Sequence, residues 1–184
     1  PLMLCGSFFS SAGLVIVAYS DEYGARESSG FFIAIWSLGS GIAALIIGSI
    51  KWKRNESRRF LESTVLLFFL TIPIYLAAIL APGNFVIMGI VLLINGFAIA
   101  PLLTAGFAAA ERSVAEERKT EVLAWAISAL NLGGALPPAI TGYIIDTEGV
   151  TVAFAIPLIC MTLSVLLILP FFKIWREKVR EIPA

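Results

Sequence analysis

Six long apolar runs follow one another along this 184-residue chain, and they constrain its fold more than any other feature. A helix needs about 20 apolar residues to cross the hydrocarbon core of a bilayer, and each run is long enough. A closed β-barrel, the other spanning structure, needs alternating segments of about ten residues, which these continuous runs do not show. The sequence therefore predicts an all-α, polytopic transmembrane bundle of six helices at about residues 2–20, 30–50, 60–80, 85–110, 122–145 and 150–172.

The composition excludes several classes of function. Hydrophobic residues make up 59% of the chain and charged residues 14%, whereas soluble domains contain about 45–50% and about 25%. A soluble enzyme, a disordered segment and a nucleic-acid-binding module are therefore excluded. The chain has no histidine, the most common metal ligand and general base, so we expect no catalytic residue, metal site or cofactor. Cys5 and Cys160 lie within apolar runs, and we expect buried small side chains there rather than a disulfide or a metal site.

The charged residues between the runs predict the orientation of the helices. Every lysine and arginine except Arg26 lies in alternate connections or after the last run, and short basic loops remain in the cytoplasm. The intervening connections are acidic or uncharged. We therefore expect a multi-pass protein of the plasma (inner) membrane, with both ends in the cytoplasm and a basic cytoplasmic tail at residues 173–184. Trp52 and Trp175 stand beside the basic clusters, as expected for aromatic anchors at the headgroup level.

Twelve of the 15 glycines lie in the runs, where they are divided unevenly with a period of three helices. The third and sixth runs have none, and the middle run of each triplet is rich in glycine. Glycine lets helix backbones approach closely in lipid, so we expect the four glycine-containing helices to be interior and the third and sixth to be peripheral. Because three is odd, the second triplet crosses the membrane in the opposite sense to the first. This arrangement predicts the 3+3 inverted repeat that is typical of secondary transporters.

Two stretches of the chain resemble a known family. One is residues 30–41 (GFFIAIWSLGSG), which lead through Gly48 to a basic loop. The other is residues 111–121 (ERSVAEERKTE), followed by Trp125, Asn131, Gly133-Gly134 and Gly142. They resemble the eighth helix with its following loop, and the ten-to-eleven loop with the eleventh helix, of a drug- or sugar-efflux-like major facilitator superfamily (MFS) transporter. The resemblance covers the whole chain, as the last six of twelve helices.

The resemblance carries several implications. It implies one transmembrane domain over residues 1–184 that forms the C-terminal half of an alternating-access secondary active transporter, a permease moving a small organic solute, with efflux favoured. The implied partners are that solute, the lipid bilayer and an N-terminal six-helix half of the same transporter. Two positions depart from the family pattern: Trp52 stands where the loop signature has aspartate, and Pro137-Pro138 stands where Gly-Pro is more usual. The proline pair implies a kink in the fifth helix.

The candidate solute contacts are polar but neutral, because no charged residue lies in the middle of a run. The resemblance implies that the first, second, fourth and fifth helices line the central cavity. Each candidate also has a purely structural alternative, since serine and threonine often bond within their own helix and tryptophan often packs between helices. The candidates are Ser7, Ser10 and Ser11 on one face of the first helix, Trp36 in the second, Asn95 and Thr104 in the fourth, and Trp125, Ser128 and Asn131 at every third position of the fifth.

The sequence leaves another class of function open. A self-contained six-helix membrane channel, or a structural or assembly subunit, working as a homodimer would show the same runs. The chain starts at Pro1 without the charged region of a signal peptide, so we expect a piece of a longer membrane protein.

Overall fold

The structure is helical throughout the part of the chain that it describes. The computed structural model describes residues 1–24, 26–50 and 55–180, with the backbone alone at Arg26 and at residues 171–180. These residues contain no strand, which confirms the predicted all-α class. Two short 3₁₀ turns connect helices, and the α-helices are α1 Leu2–Glu22, α2 Ser29–Ser49, α3 Glu56–Leu80, α4 Phe85–Gly96, α5 Ile99–Glu111, α6 Lys119–Ala135, α7 Pro137–Glu148, α8 Val150–Ala153 and α9 Ala155–Arg180.

Six stretches of these helices are long and apolar enough to cross a membrane, as predicted. We number them as spans 1–6. Spans 1, 2 and 3 are α1, α2 and α3; span 4 comprises α4 and α5, span 5 comprises α6 and α7, and span 6 comprises α8 and the apolar part of α9. Helix α9 continues to Arg180, so most of the expected tail is helical. The expected anchor Trp52 and residues 181–184 lie outside the described residues, as does the side chain of Trp175.

Proline positions explain why spans 4, 5 and 6 are interrupted. Proline lacks a backbone N–H and is best tolerated in the first turn of a helix. Pro101 is the third residue of α5, Pro137 the first of α7 and Pro157 the third of α9, so each follows a break. The interruption that the resemblance implies at Pro137-Pro138 is therefore present. The prolines inside α3 and α9 leave those helices continuous.

The closest helix contacts are two crossings at glycine that share one register. Span 1 crosses span 5 at Gly6 and Gly133, and span 2 crosses span 4 at Gly39 and Gly96. In both crossings, a Cβ added to one glycine would overlap the carbonyl oxygen three residues before the partner's glycine. Because the 3+3 repeat relates span 1 to span 4 and span 2 to span 5, the shared register supports that repeat. The four carbonyls belong to Leu130, Met3, Leu93 and Trp36.

The burial of the spans corrects one expectation. Within the most apolar 18-residue window of each span, spans 1 and 4 are the most buried, spans 3 and 6 follow with 39% of the residues buried, and spans 2 and 5 have only 22% and 17%. The expectation that the glycine-containing helices are interior is therefore right for spans 1 and 4 and wrong for spans 2 and 5, and spans 3 and 6 are not peripheral. Spans 3 and 6 pack on each other, and in addition span 3 packs on span 4 and span 6 packs on span 1. Span 2 packs mainly on span 4, and span 5 packs mainly on span 1.

The ends of spans 3 and 4 meet on the basic side of the bundle. Asn55 caps α3 by accepting a hydrogen bond from the backbone N–H of Ser57 at 3.0 Å. Next to this cap, the Glu56 carboxylate pairs with the Arg112 guanidinium at 3.0 Å. The pair links the first residue of span 3 to the residue after span 4, although the Arg112 side chain is largely exposed and the pair therefore adds little stability.

Candidate functional site

Two serines of span 1 bind the broken backbone of span 5. In a continuous helix, the carbonyls of Gly133 and Gly134 would accept hydrogen bonds from residues 137 and 138, but both of these are proline and have no N–H. The Ser7 hydroxyl donates to the Gly133 carbonyl at 2.8 Å, and the Ser10 hydroxyl donates to the Gly134 carbonyl at 2.8 Å. The serine pair therefore satisfies the two acceptors that the prolines leave free.

The three candidate serines thus have different environments. Ser7 is buried at the crossing and also lies 3.2 Å from the Met3 carbonyl. Ser11 is fully buried and donates within its own helix, to the carbonyls of Ser7 and Phe8. Ser10 is only half-buried. Of the three, Ser10 alone remains within reach of a solute.

Trp36 and Asn95 form a buried hydrogen bond between spans 2 and 4. The Trp36 indole N–H donates to Asn95 Oδ1 at 2.8 Å, and Asn95 Nδ2 donates to Thr71 Oγ1 of span 3 at 3.3 Å. Asn95 is 0% exposed, and the Trp36 ring packs near Phe8 and Phe9, with centroids 6.0 and 6.2 Å away. This network links three spans, and both candidates contribute to packing.

The remaining candidates lie on the surface of the six-helix bundle. Thr104 is exposed, although its hydroxyl donates to the Ala100 carbonyl of its own helix at 2.8 Å. Trp125 is 70% exposed, and Ser128 and Asn131 are exposed on the same helix, α6. Spans 4 and 5 therefore present polar groups at membrane depth on faces that the bundle itself does not cover.

An open groove between spans 1 and 5 brings Ser10 and Asn131 together. It has a volume of ≈ 350 Å³, and we refer to it as the kink groove because it lies beside the break in span 5. None of its lining residues is charged. They are Gly6, Phe9, Ser10, Leu130, Asn131, Gly134 and Ala135.

The kink groove contains two features that sequence reasoning did not identify as site components. One is the Phe9 ring, and the other is the Gly134 carbonyl. The signal for the carbonyl was present in the sequence, since a proline always removes the donor for the carbonyl four residues earlier. The partner was less predictable, because nothing in the sequence places Ser10 beside Gly134.

A second open groove, between spans 2 and 4, is apolar. Its volume is ≈ 370 Å³, and it differs from the kink groove in having no polar side chain in its lining. Such an apolar surface is suited to contact with the hydrocarbon core of a bilayer. The lining residues are Phe31, Ile35, Leu38, Phe85, Val86, Gly89, Ile90 and Leu93.

The chemistry available in the spans is that of neutral hydrogen bonding. The structure shows no cluster of three or more metal-ligating side chains among the residues it describes. Cys5 and Cys160 are both free and buried, as expected from their apolar surroundings. Cys5 Sγ lies 3.9 Å from Ser164 Oγ of span 6, so it too contributes to packing between spans.

The fold and the groove together define a class, a multi-pass helical membrane protein with a neutral polar site beside a broken helix. The family model of the Major Facilitator Superfamily matches residues 2–183, and the chain belongs to this superfamily. Members of the family are membrane transporters rather than enzymes, so the chain is a membrane transporter with a small-molecule substrate. No curated protein and no solved structure matches the chain.

Proposed function

We propose that the chain is the C-terminal six-helix half of an alternating-access secondary transporter that moves a small organic solute. The observation that carries the proposal is the kink groove, where Ser10 and Asn131 present neutral polar groups beside a break in span 5. Solute sites of secondary transporters are typically formed by discontinuous helices at a repeat interface. The uncharged lining suits a neutral or amphipathic solute, and the efflux direction rests on the family resemblance.

The uncovered faces of spans 2 and 5 support an N-terminal six-helix half as the partner. These are the least buried spans, and span 5 exposes large side chains along its length, at Trp125, Leu132, Leu136 and Tyr143. A second half of the same architecture would cover part of these faces and close the kink groove into a cavity. The two halves would then rock as rigid units around a site near the bilayer midplane.

The lack of charge in the kink groove also bears on energy coupling. A proton-coupled transporter needs an ionisable residue at membrane depth, and the residues that line the groove offer none. If transport is driven by protons, we place the titrating residue in the N-terminal half. We place the protein in the plasma (inner) membrane with both ends in the cytoplasm, because the basic connections all lie on one side.

The proposal is tested by transport of a solute panel into proteoliposomes that contain the full-length protein, with and without a pH gradient. Asn131→Ala is expected to lower the transport rate without changing thermal stability, because Asn131 is exposed on the groove. Leu166→Ala is the control, since Leu166 is 59% exposed on span 6 and does not line the groove. Equal transport by the wild type and both variants would contradict the proposal.

The uncovered faces of spans 2 and 5 also fit a second copy of the chain, as in a homodimeric channel or assembly subunit. Cross-linking of Leu136→Cys in membranes distinguishes the two arrangements. A disulfide-linked dimer of the chain supports the homodimer, whereas protection of this position by the N-terminal half supports the transporter.

A further inference from the structure

The Gly134 carbonyl is an acceptor with unused capacity, and Gly134 is one of the residues that line the kink groove. Pro138 removes its helix donor, and Ser10 supplies a single hydrogen bond at 2.8 Å. A carbonyl oxygen has two lone pairs and can accept a second hydrogen bond. Residue 134 is a glycine without a side chain of its own, it is only half-buried, and it is part of the groove lining.

The neighbouring Gly133 carbonyl provides an internal comparison. Pro137 removes its helix donor in the same way, and Ser7 donates to it at the same distance of 2.8 Å. However, Gly133 and Ser7 are both buried at the helix crossing, and neither lines the groove. The two carbonyls therefore have the same chemistry, and of the two residues only Gly134 lines the groove.

The rest of the groove complements this acceptor. Asn131 lies one turn earlier on the same face of α6 and is exposed, so its amide can donate to a solute carbonyl. Phe9 and Leu130 provide apolar walls. The C-terminal end of α6 carries the partial negative charge of the helix dipole, and no basic side chain in the lining offsets it. An anion is therefore disfavoured.

We propose that the kink groove binds an uncharged solute through a group that donates a hydrogen bond to the Gly134 carbonyl, with the Asn131 amide donating to an acceptor on the same solute. Primary and secondary amides next to an apolar group have this chemistry. The proposal deepens the proposed function, on which it rests, by naming the class of solute and the backbone atom that recognises it.

Three probes test the proposal: benzamide, benzoate, which has nearly the same shape, and N,N-dimethylbenzamide, which is bulkier and carries no N–H. Their dissociation constants for the full-length protein in lipid nanodiscs are compared by saturation-transfer NMR, with empty nanodiscs as background. Benzamide is expected to bind about three- to tenfold more tightly than its dimethyl derivative, which cannot donate a hydrogen bond. Benzoate is expected to bind most weakly.

The two prolines give a matched pair of variants. Pro138→Ala restores a backbone N–H that competes for the Gly134 carbonyl, so it is expected to abolish the preference for benzamide. Pro137→Ala restores the corresponding donor to the buried Gly133 carbonyl and is expected to leave the preference unchanged. If Pro138→Ala does not fold, Asn131→Ala provides a second test, because it is expected to weaken both amide probes about threefold and to preserve the preference.

Several results would overturn the proposal: equal binding of the two amides by the wild type, a preference that survives in Pro138→Ala, or benzoate binding as tight as benzamide. A wild-type protein that transports a solute but binds none of the probes would overturn this site and leave the proposed function standing. A donor preference in a protein that transports nothing would support the site and contradict the proposed function.

Discussion

The Ser7 hydroxyl donates a hydrogen bond at 2.8 Å to the Gly133 carbonyl, the group from which Pro137 removes the helix donor. Gly133 also provides the close approach of spans 1 and 5, because a Cβ there would overlap the Met3 carbonyl. One position therefore combines a helix crossing, a helix break and a hydrogen bond between spans. Since a free carbonyl in the bilayer core costs several kcal/mol, the break in span 5 depends on span 1.

We predict that Ser7→Ala destabilises the full-length protein by about 1–3 kcal/mol, because the buried Gly133 carbonyl then loses its donor. In a Pro137→Ala background the same substitution is expected to cost much less, since the restored backbone N–H satisfies that carbonyl. Unfolding in detergent of the wild type, both single variants and the double variant gives the coupling free energy. Ser49→Ala is the control, because its hydroxyl bonds to the carbonyl of Ile46 in its own helix and is exposed. Additive effects of Ser7→Ala and Pro137→Ala would contradict the assignment.

The glycines of span 2 are predicted to differ sharply in their tolerance of alanine. Gly39→Ala forces a Cβ against the Leu93 carbonyl, a backbone atom that cannot move aside alone. We expect a loss of about 2–3 kcal/mol in stability from this overpacking. Gly41→Ala, two residues further along, meets no atom within 4 Å and is expected to leave stability unchanged or slightly raised. Thermal unfolding of the two variants measures the difference, and equal melting temperatures would show that the crossing is not close.

Substitutions of Asn95 and Asn131 are predicted to have different effects: the first lowers stability and the second impairs transport. Asn95→Ala leaves the buried Trp36 indole N–H without its acceptor and is expected to cost about 1–3 kcal/mol. Asn131→Ala removes an exposed group and is expected to change solute transport at nearly wild-type stability. In a Trp36→Phe background the cost of Asn95→Ala is expected to fall, because the indole donor is gone. A stable Asn95→Ala variant with impaired transport would instead assign this residue to the solute site.

The sequence predicted the number and class of the helices because spanning a bilayer is a requirement on length and hydrophobicity, which are properties of each run alone. It did not predict the burial of spans 2 and 5. A glycine-rich helix can approach one neighbour closely, as at Gly39 and Gly133. The glycine content does not indicate how many neighbours the helix has, and burial depends on that number. The same holds for the site: the sequence is enough to list the polar residues of the helices, but only the packing shows that Ser11 is enclosed and that Ser10 and Asn131 line the same groove.

The last prediction concerns the orientation of the bundle, which we infer from the excess of basic residues in alternate connections. Ser113, in the connection after span 4, and Glu148, the last residue of span 5, are both exposed, and the predicted topology puts them on opposite sides of the membrane. In right-side-out membrane vesicles, Glu148→Cys is expected to react with a membrane-impermeant maleimide, whereas Ser113→Cys is expected to react only after the membrane is opened. Cys5 and Cys160 give little background because both are buried. In inverted vesicles the labelling pattern is expected to be reversed. Labelling of Ser113→Cys from outside in right-side-out vesicles would show that the basic face is not cytoplasmic.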